Sequence, residues 1–411
     1  MRQGNLPLKV AVAGGSIGGL CAGIAMRGIG CEVAVYERTP GAMASRGAGI
    51  TVQDDLLDLL TRNGAPQLPL TSCRQRRYLV PDGGDGTTAP IAQRFSSWYA
   101  IYRTLRAAFP EEHYHAGSTL TGFEAAERRV VAHFPERGMV EADLLVCADG
   151  TYSETRRRLL PEARPRYAGY IAWRGTVEED RAPAALVRFF DDSFTVCAAR
   201  SGGHILCYFI PGAGAAAEVG RRRLNWVWYV NVPEGPALTR LLTDQTGSVR
   251  DASVPPGMVP AALTAELHAA AARELHPRFV ELVQATAEPF IQVIRDVTVP
   301  RLVFGRACLL GDAAFMLRPH PGAATAKAAA DATALATALA AHPADADAAL
   351  RAWEKQQLEH GRALLDLAAA LGRHTVDRRD DRPTLRDAAE RFADLALGGR
   401  GRSTATAQRK P

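Results

Sequence analysis

The sequence predicts an α/β protein in which a Rossmann-like nucleotide-binding domain is interrupted by a mostly antiparallel β-sheet domain and followed by C-terminal helices. Three observations predict it. The chain opens on an apolar run, a glycine cluster and an alanine-rich stretch; two later apolar runs end in acid and glycine pairs; and aromatic and β-branched residues concentrate between 167 and 298. Strand and helix signals alternate around the first two features, the texture of a parallel sheet, whereas the third reads as antiparallel strands.

The opening element, Lys9-Val10-Ala11-Val12-Ala13, reads as a strand, and Gly14-Gly15-Ser16-Ile17-Gly18-Gly19-Leu20 as a tight turn entering a helix. Gly14 permits the turn and Gly19 permits close packing of helix on strand. A pyrophosphate can then rest on backbone N–H groups at the positive end of the helix dipole. Ser16 stands where this fingerprint usually has its second glycine. A second apolar run, Glu32 to Tyr36, ends in Glu37. An acid about twenty residues beyond the loop accepts hydrogen bonds from an adenosine ribose; the alternative is a solvated strand end.

Arg46-Gly47 opens another turn and strand through Val52, followed by a helix-like stretch containing Leu56, Leu57, Leu59 and Leu60. Between Ser72 and Trp98, short β-type pieces flank Asp82-Gly83-Gly84-Asp85-Gly86, a hairpin signal. A helix is expected over Tyr102–Phe109, and a strand over Leu144–Ala148 running into Asp149-Gly150-Thr151-Tyr152-Ser153. Either Asp149 faces a crevice at the carboxyl end of that strand, or Asp149 or Ser153 simply caps the next helix, a contribution of about 1 kcal/mol. The strand Ala307–Leu310 ends in a second pair, Gly311-Asp312, with Pro319 and Gly322 ahead of a long helical run from Ala323. An acid there can hold a polyol hydroxyl, and the helix N-terminus can stabilise negative charge on a bound ring. Pro343 and Pro383 punctuate the helices that follow. These readings divide the chain into nucleotide-binding segments 1–71, 99–166 and 299–342, inserted segments 72–98 and 167–298, helices over 343–397 and a tail, 398–411.

A chain of 411 residues with 47% hydrophobic residues buries one large core or two fused ones. The formal charge is +5, but Arg400, Arg402, Arg409 and Lys410 supply four of those charges in the final segment. The body is therefore close to neutral, which argues against nucleic-acid binding, and the tail reads as disordered. Seven cysteines without CxxC spacing indicate a reducing compartment and no metal site. The N-terminus has no apolar signal core and no run approaches membrane-spanning length, so a cytoplasmic, soluble protein without membrane partners is expected.

From Val10 to about Ala340 the chain resembles the class A FAD-dependent aromatic hydroxylases of the para-hydroxybenzoate hydroxylase fold, through the glycine loop with Glu37, Asp149-Gly150 and Gly311-Asp312. Within that family it is most similar to the 2,6-dihydroxypyridine 3-hydroxylase branch, on Tyr170-Ile171-Ala172-Trp173-Arg174-Gly175, Arg223-Leu224-Asn225-Trp226-Val227-Trp228-Tyr229, Arg318-Pro319-His320 and Thr325-Ala326-Lys327-Ala328. The resemblance makes the nucleotide domain an FAD-binding domain and the inserted sheet its substrate domain. It assigns Gly14, Ser16, Gly19 and Glu37 to the ADP half of FAD, and Arg38 and Arg103 to the adenosine and pyrophosphate. Asp149 and Gly150 fall to the pyrophosphates of FAD and NAD(P)H, and Gly311 and Asp312 to the ribityl chain and pyrophosphate. Ile17, Arg46, Gly47, Pro319, Gly322, Ala323 and Ala324 complete the candidate cofactor contacts. Relatives commonly carry glycine where Ala324 stands, so its methyl is expected to weaken flavin binding or to shift the ring.

The chemistry this resemblance implies is reduction of FAD by NAD(P)H, formation of a flavin C4a-hydroperoxide with O2, and attack on its distal oxygen by an electron-rich aromatic or N-heteroaromatic small molecule. The chain has no second glycine fingerprint, in keeping with an NAD(P)H that visits transiently. A base or acceptor is needed at the ring hydroxyl. The candidates are His204, Tyr208 and His320, each with a satisfied structural residue as its alternative. Strand alternation places His204, Leu206 and Tyr208 on one face and Ile205, Cys207 and Phe209 on the other. Arg174 and Arg318 are candidates to hold an anionic substrate, or else they face cofactor or solvent. Trp226, Trp228 and Tyr229 read as sheet core before they read as a substrate cage. Two other functions stay open: another flavin-dependent oxidation, such as Baeyer–Villiger reaction, epoxidation or dehydrogenation of a natural-product intermediate, and a non-catalytic flavin module. The C-terminal helices either pack on the flavin domain or form a homodimer face.

Overall fold

Three strand ends decide where a ligand can sit. In the computed structural model, which describes residues 8–41, 43, 49–84 and 86–376, Ala13 is paired with Cys147 and Cys147 with Leu309. The residues that follow these ends are Gly14, the Ala148-Asp149 step and the Leu310-Gly311 step, so three loops distant in sequence emerge side by side. Arg46, Gly47, Pro383 and the 398–411 tail lie outside the described residues.

The sheet carrying these ends runs in the order Val303–Phe304, Ala307–Leu309, Leu144–Cys147, Lys9–Ala13, Glu32–Glu37, Tyr114–Ala116. Every pair is parallel except the hairpin of the first two strands. Parallel strands are covered on both faces, which is why these segments are continuously apolar, with Val10, Val12, Leu145 and Val146 all buried. Helix Ile17–Gly28 packs against helix Ala324–Ala341, and the last helix, Ala346–Val376, packs on the latter. Ala349, Leu350 and Trp353 belong to the same core, and the Trp353 indole N–H donates to the Asp331 carbonyl at 3.0 Å. Of the two roles open to the C-terminal helices, packing on the nucleotide-binding body is therefore filled.

The second sheet has nine strands, in the order Ser253–Val254, Phe290–Asp296, Arg166–Glu178, Arg222–Asn231, His204–Pro211, Ser193–Ala198, Thr71–Leu79, Thr87–Ser97, Gly49–Val52. All pairs are antiparallel except Ser193–Ala198 with Thr71–Leu79. Its outer face buries Ile205, Cys207, Trp226 and Trp228 with Leu267 and Phe279. The last two lie on helices Ala261–Glu274 and Pro277–Gln284. Those helices qualify the sheet texture read over 167–298: their alanine- and leucine-rich stretch exists to cover one face. A small antiparallel sheet, Gly122–Ala125, Val130–Phe134 and Gly138–Ala142, also went unread in the sequence. The helix expected at Tyr102 begins earlier, at Trp98, because the Ser97 hydroxyl accepts from the Ala100 N–H and caps it. Among the described residues no helix is long and apolar enough to cross a membrane.

Candidate active site

The inner face of the nine-stranded sheet and the three strand-end loops enclose one cavity of about 1580 Å³. That exceeds the roughly 300–1,000 Å³ of a pocket for one drug-sized ligand, so there is room for a dinucleotide and a small ring together. Its floor comes from Ser16, Ile17, Gly18, Gly150, Asp312 and Ala324, and its roof from the sheet.

The floor is built mainly of backbone. Gly14 has φ +105°, a conformation that excludes other side chains, and a Cβ on it would meet the Ala148 carbonyl. A Cβ on Gly19 would overlap the Gly14 carbonyl oxygen, so glycine is what lets the helix lie against the loop. Neither Ser16 at the start of helix Ile17–Gly28 nor Ala323 at the start of helix Ala324–Ala341 caps its helix with a side chain, and both line the cavity. Two helices thus point unpaired N–H groups and their positive dipole ends at the same space. Ala324 is the first residue of its helix, and its methyl is accommodated there without left-handed backbone.

The acids are tied into this floor. The Glu37 carboxylate accepts from the Gly15 N–H at 2.7 Å and the Thr39 N–H at 2.8 Å, so it pins the glycine loop from below. Asp149 accepts from the Ser153 hydroxyl at 2.6 Å and the Thr155 N–H at 3.0 Å, the capping geometry, and it is Gly150 and Thr151 that line the cavity. Asp312 does line it, accepting only a 3.3 Å bond from the Thr151 hydroxyl, which leaves carboxylate lone pairs available to a ligand. Burial raises its pKa, with the Lys327 cation acting in the opposite direction. Gly311 lies beneath, its N–H donating to Asp331, which is also paired with Lys327 at 2.6 Å.

Arg156 went unassigned in the sequence, yet it binds the floor together. Its side chain is buried; Nη1 donates to the carbonyls of Asp312 at 3.1 Å and Ala313 at 2.9 Å, and Nη2 to that of Thr151 at 2.8 Å. One guanidinium thereby clamps the Asp149-Gly150 loop to the Gly311-Asp312 loop. Arg38 is exposed beyond the second strand, and Arg103 is exposed on its helix with Nη1 donating to the Gly214 carbonyl at 2.8 Å; neither lines the cavity.

The roof is built of side chains. Arg174 is paired with Val227, Val227 with Leu206, and Leu206 with Val196; one row over, Ala172 is paired with Tyr229 and Tyr229 with His204. His204, Leu206 and Tyr208 all line the cavity, while Ile205, Cys207 and Phe209 face the outer core, so the expected alternation holds. The same alternation separates Tyr229, which lines the cavity, from Trp226 and Trp228, which are core. His320 rises from the floor to meet this roof: Nε2 shares a 2.7 Å hydrogen bond with the Tyr170 hydroxyl, and its ring lies 4.5 Å from that of Tyr229. Of the two arginines considered, Arg174 lines the cavity, as does Pro319, whereas Arg318 does not and is paired with Asp296 at 2.7 Å.

Burial sets the protonation of this roof. It lowers the His204 pKa to about 4 and that of His320 well below its ordinary value, the latter assisted by His204 and the Arg318 cation. Burial raises Tyr208 to about 12 against the opposing pull of Arg174, and raises Tyr170 and Tyr229 as well. At neutral pH the histidines are uncharged acceptors and the tyrosines protonated donors. Tyr170 stood in a stretch that carries the resemblance but was given no role, and Gln292, whose side-chain oxygen accepts from Arg174 Nη1 at 2.9 Å, was not singled out in the sequence.

Residues 167–296 match the family described as FAD binding domain-like. The chain is 36% identical over 360 residues to the 2,6-dihydroxypyridine 3-monooxygenase of Paenarthrobacter nicotinovorans, covering 87% of this chain and 89% of that one. It is 27% identical to the 6-hydroxynicotinate 3-monooxygenase of Bordetella bronchiseptica, over 79% of this chain and 80% of the relative. The solved structure of 2,6-dihydroxypyridine-3-hydroxylase from Arthrobacter nicotinovorans superposes with a TM-score of 0.83 at 33% identity, covering 92% of this chain and 95% of that one. The Klebsiella pneumoniae protein HpxO, solved with FAD and uric acid, shares the fold at a TM-score of 0.71 and 23% identity over 95% of this chain and 93% of its own. A glycine-built floor with two uncapped helix ends, an aromatic roof and these likenesses agree: the chain belongs to the FAD-dependent aromatic monooxygenases.

Proposed function

We propose that the protein hydroxylates an electron-rich, hydroxypyridine-like or phenolic ring using NAD(P)H and O2. The observation that carries this reading is the single cavity joining the nucleotide-type floor to a roof of neutral histidines and protonated tyrosines. The floor fits FAD: two uncapped helix ends suit a pyrophosphate and a charged ring, and Asp312 keeps lone pairs for a ribityl hydroxyl. Gly14, Ser16, Ile17 and Gly19 would hold the pyrophosphate, Glu37 and Arg38 the adenosine end with Arg103 beyond it, and Gly150, Gly311, Pro319, Gly322, Ala323 and Ala324 the flavin end. Bound FAD supplies the electron acceptor for NAD(P)H and the means of activating O2.

The rest is done by this chain's own groups. The Val227–Leu206 stripe offers an apolar surface for a planar ring and excludes water from it. The His204 imidazole is neutral at physiological pH and accepts a hydrogen bond from a ring hydroxyl, which makes the ring more electron-rich. Tyr208 orients the ring by donating its phenolic hydrogen, and the Tyr170 bond holds the His320 imidazole over the floor.

The test is the anaerobic rate of flavin reduction by NADH and by NADPH, with and without a panel of hydroxypyridines and phenolic acids, followed by product analysis in air. Acceleration by one ring compound, with a hydroxylated product, is the expected result. Equally fast reduction with no compound present would sink this reading.

A further inference from the structure

The last helix reaches the cavity. Among the described residues every other one that lines it falls between Ser16 and Ala328, yet Leu371, near the end of helix Ala346–Val376, lines it as well. A face of small and apolar residues carries it there. Gly361, Leu364, Ala368 and Gly372 recur at helical spacing, and this face lies on the segment 315–323. Leu364 and Ala368 share a buried cluster with Leu317 and Ala323, and a Cβ on Gly361 would stand 2.6 Å from the Phe315 ring. At Gly372 a Cβ would come 2.8 Å from the Tyr170 hydroxyl and 2.9 Å from Arg318 Nη1. Tyr170 is bonded to His320 and Arg318 to Asp296, so the helix end is seated at the corner where floor meets roof. Leu371 shares the face of Leu364 and Ala368, at the spacing i, i+4, i+7, and stands at that corner.

We propose that Leu371 is a specificity-determining residue: it closes the ring pocket at the Tyr170–His320 corner and restricts the substrate to a single six-membered ring, refusing one with a second ring fused to it. A ring whose hydroxyl meets His204 has the His320 imidazole beside it, 5.7 Å from that of His204 between centroids, and growth in that direction runs into the corner. An aliphatic side chain there has no polar atom to hold or activate a ligand, so its contribution is shape. A wall selects by shape only if it does not yield. This one is backed by the close contacts of Gly361 and Gly372, which leave the helix no room to slide toward the cavity. The inference deepens the hydroxylase reading and rests on it for the seat of the ring.

The experiment uses the full-length, FAD-loaded protein in its oxidised form and follows the change in flavin absorbance as a probe is added, so no turnover is needed. The probes are two matched pairs, each a single ring and its benzo-fused counterpart: 2,4-dihydroxypyridine with 2,4-dihydroxyquinoline, and salicylate with 1-hydroxy-2-naphthoate. Wild type is expected to prefer the single ring in at least one pair by about tenfold or more, the scale on which an apolar pocket discriminates by size. L371A is expected to cut that preference by about fivefold or more through tighter binding of the fused ring, and L371M, which refills the space, to keep it. A leucine that is only structural would weaken both members of a pair alike, with flavin content and melting temperature, and leave their ratio unchanged. An unchanged ratio in L371A, no preference in wild type, or no response to any probe overturns the assignment. The hydroxylase reading fails separately: the ratio shifts in L371A, yet no probe accelerates flavin reduction or yields a hydroxylated product.

Discussion

The floor and the roof of the cavity solve opposite problems. The floor takes a ligand with backbone: Gly14 and Gly19 serve by lacking a side chain, and the helix ends at Ile17 and Ala324 serve by lacking a cap. The roof takes a ligand with side chains standing on an ordinary sheet whose other face is core. Substitutions in the floor should therefore cost fold and cofactor together, while those in the roof should change what is bound and leave the scaffold standing.

Gly19→Val is the most severe test of that separation. Its side chain would drive into the Gly14 carbonyl, and purified protein is expected to carry essentially no flavin, read from the ratio of flavin to protein absorbance. Next comes Arg156→Met, which leaves three carbonyls of two loops, that of Ala313 fully buried, without their donor. A loss on the order of 3 kcal/mol, seen as a lower melting temperature together with an FAD Kd raised at least tenfold, is expected. Lost stability without any loss of FAD affinity would mean that the clamp is not part of the cofactor site.

The roof predicts a pH effect. His204 is held at about 4 in the folded protein against 6.5 as its ordinary value, so between those values the unfolded chain binds the proton and the folded one does not. Its contribution is complete above 6.5 and is lost as pH falls toward 4, amounting to on the order of 3 kcal/mol. Melting curves of His204→Gln should be flatter than wild type across that acid window and unchanged in shape above it. Tyr208→Phe removes one hydroxyl, and a loss of ring affinity of up to about tenfold with FAD affinity unaltered is expected by flavin-absorbance titration. If that variant also sheds FAD, floor and roof are not separable. Ala324→Gly should shift the FAD Kd by no more than about threefold, because the alanine already sits in regular helix.

Much of the floor was readable from the chain because its chemistry is local. A glycine that must adopt a left-handed turn, or an acid at a strand end, shows itself within a few residues. What was not readable is where those acids spend their hydrogen bonds. Glu37 holds Gly15 and Thr39 in the structure, and Asp149 holds Ser153 and Thr155, partners chosen by the path of the loop in space. Arg156 was invisible for the same reason, since two of its three acceptors lie more than 150 residues away. In the roof, period-two alternation correctly sorted His204 and Tyr208 from Ile205 and Cys207. Applied one strand further it would also have separated Tyr229 from the tryptophans beside it. The helices over 261–284 escaped because the aromatic runs around them set the tone of the whole segment.

The long span of the Arg156 clamp has a consequence for biosynthesis. Its donor belongs to the first half of the chain and its Asp312 and Ala313 acceptors to the last third, with six of the nine strands of the antiparallel sheet translated between them. A nascent chain that has emerged only through that sheet owns the glycine loop and the Asp149-Gly150 loop but has nothing to lock them against. Contacts of such separation form late, after the intervening loop has been closed. Closure of the clamp is thus postponed until residue 313 has been translated, and a chain truncated before it is expected to emerge as an apoprotein however well its first strands had paired.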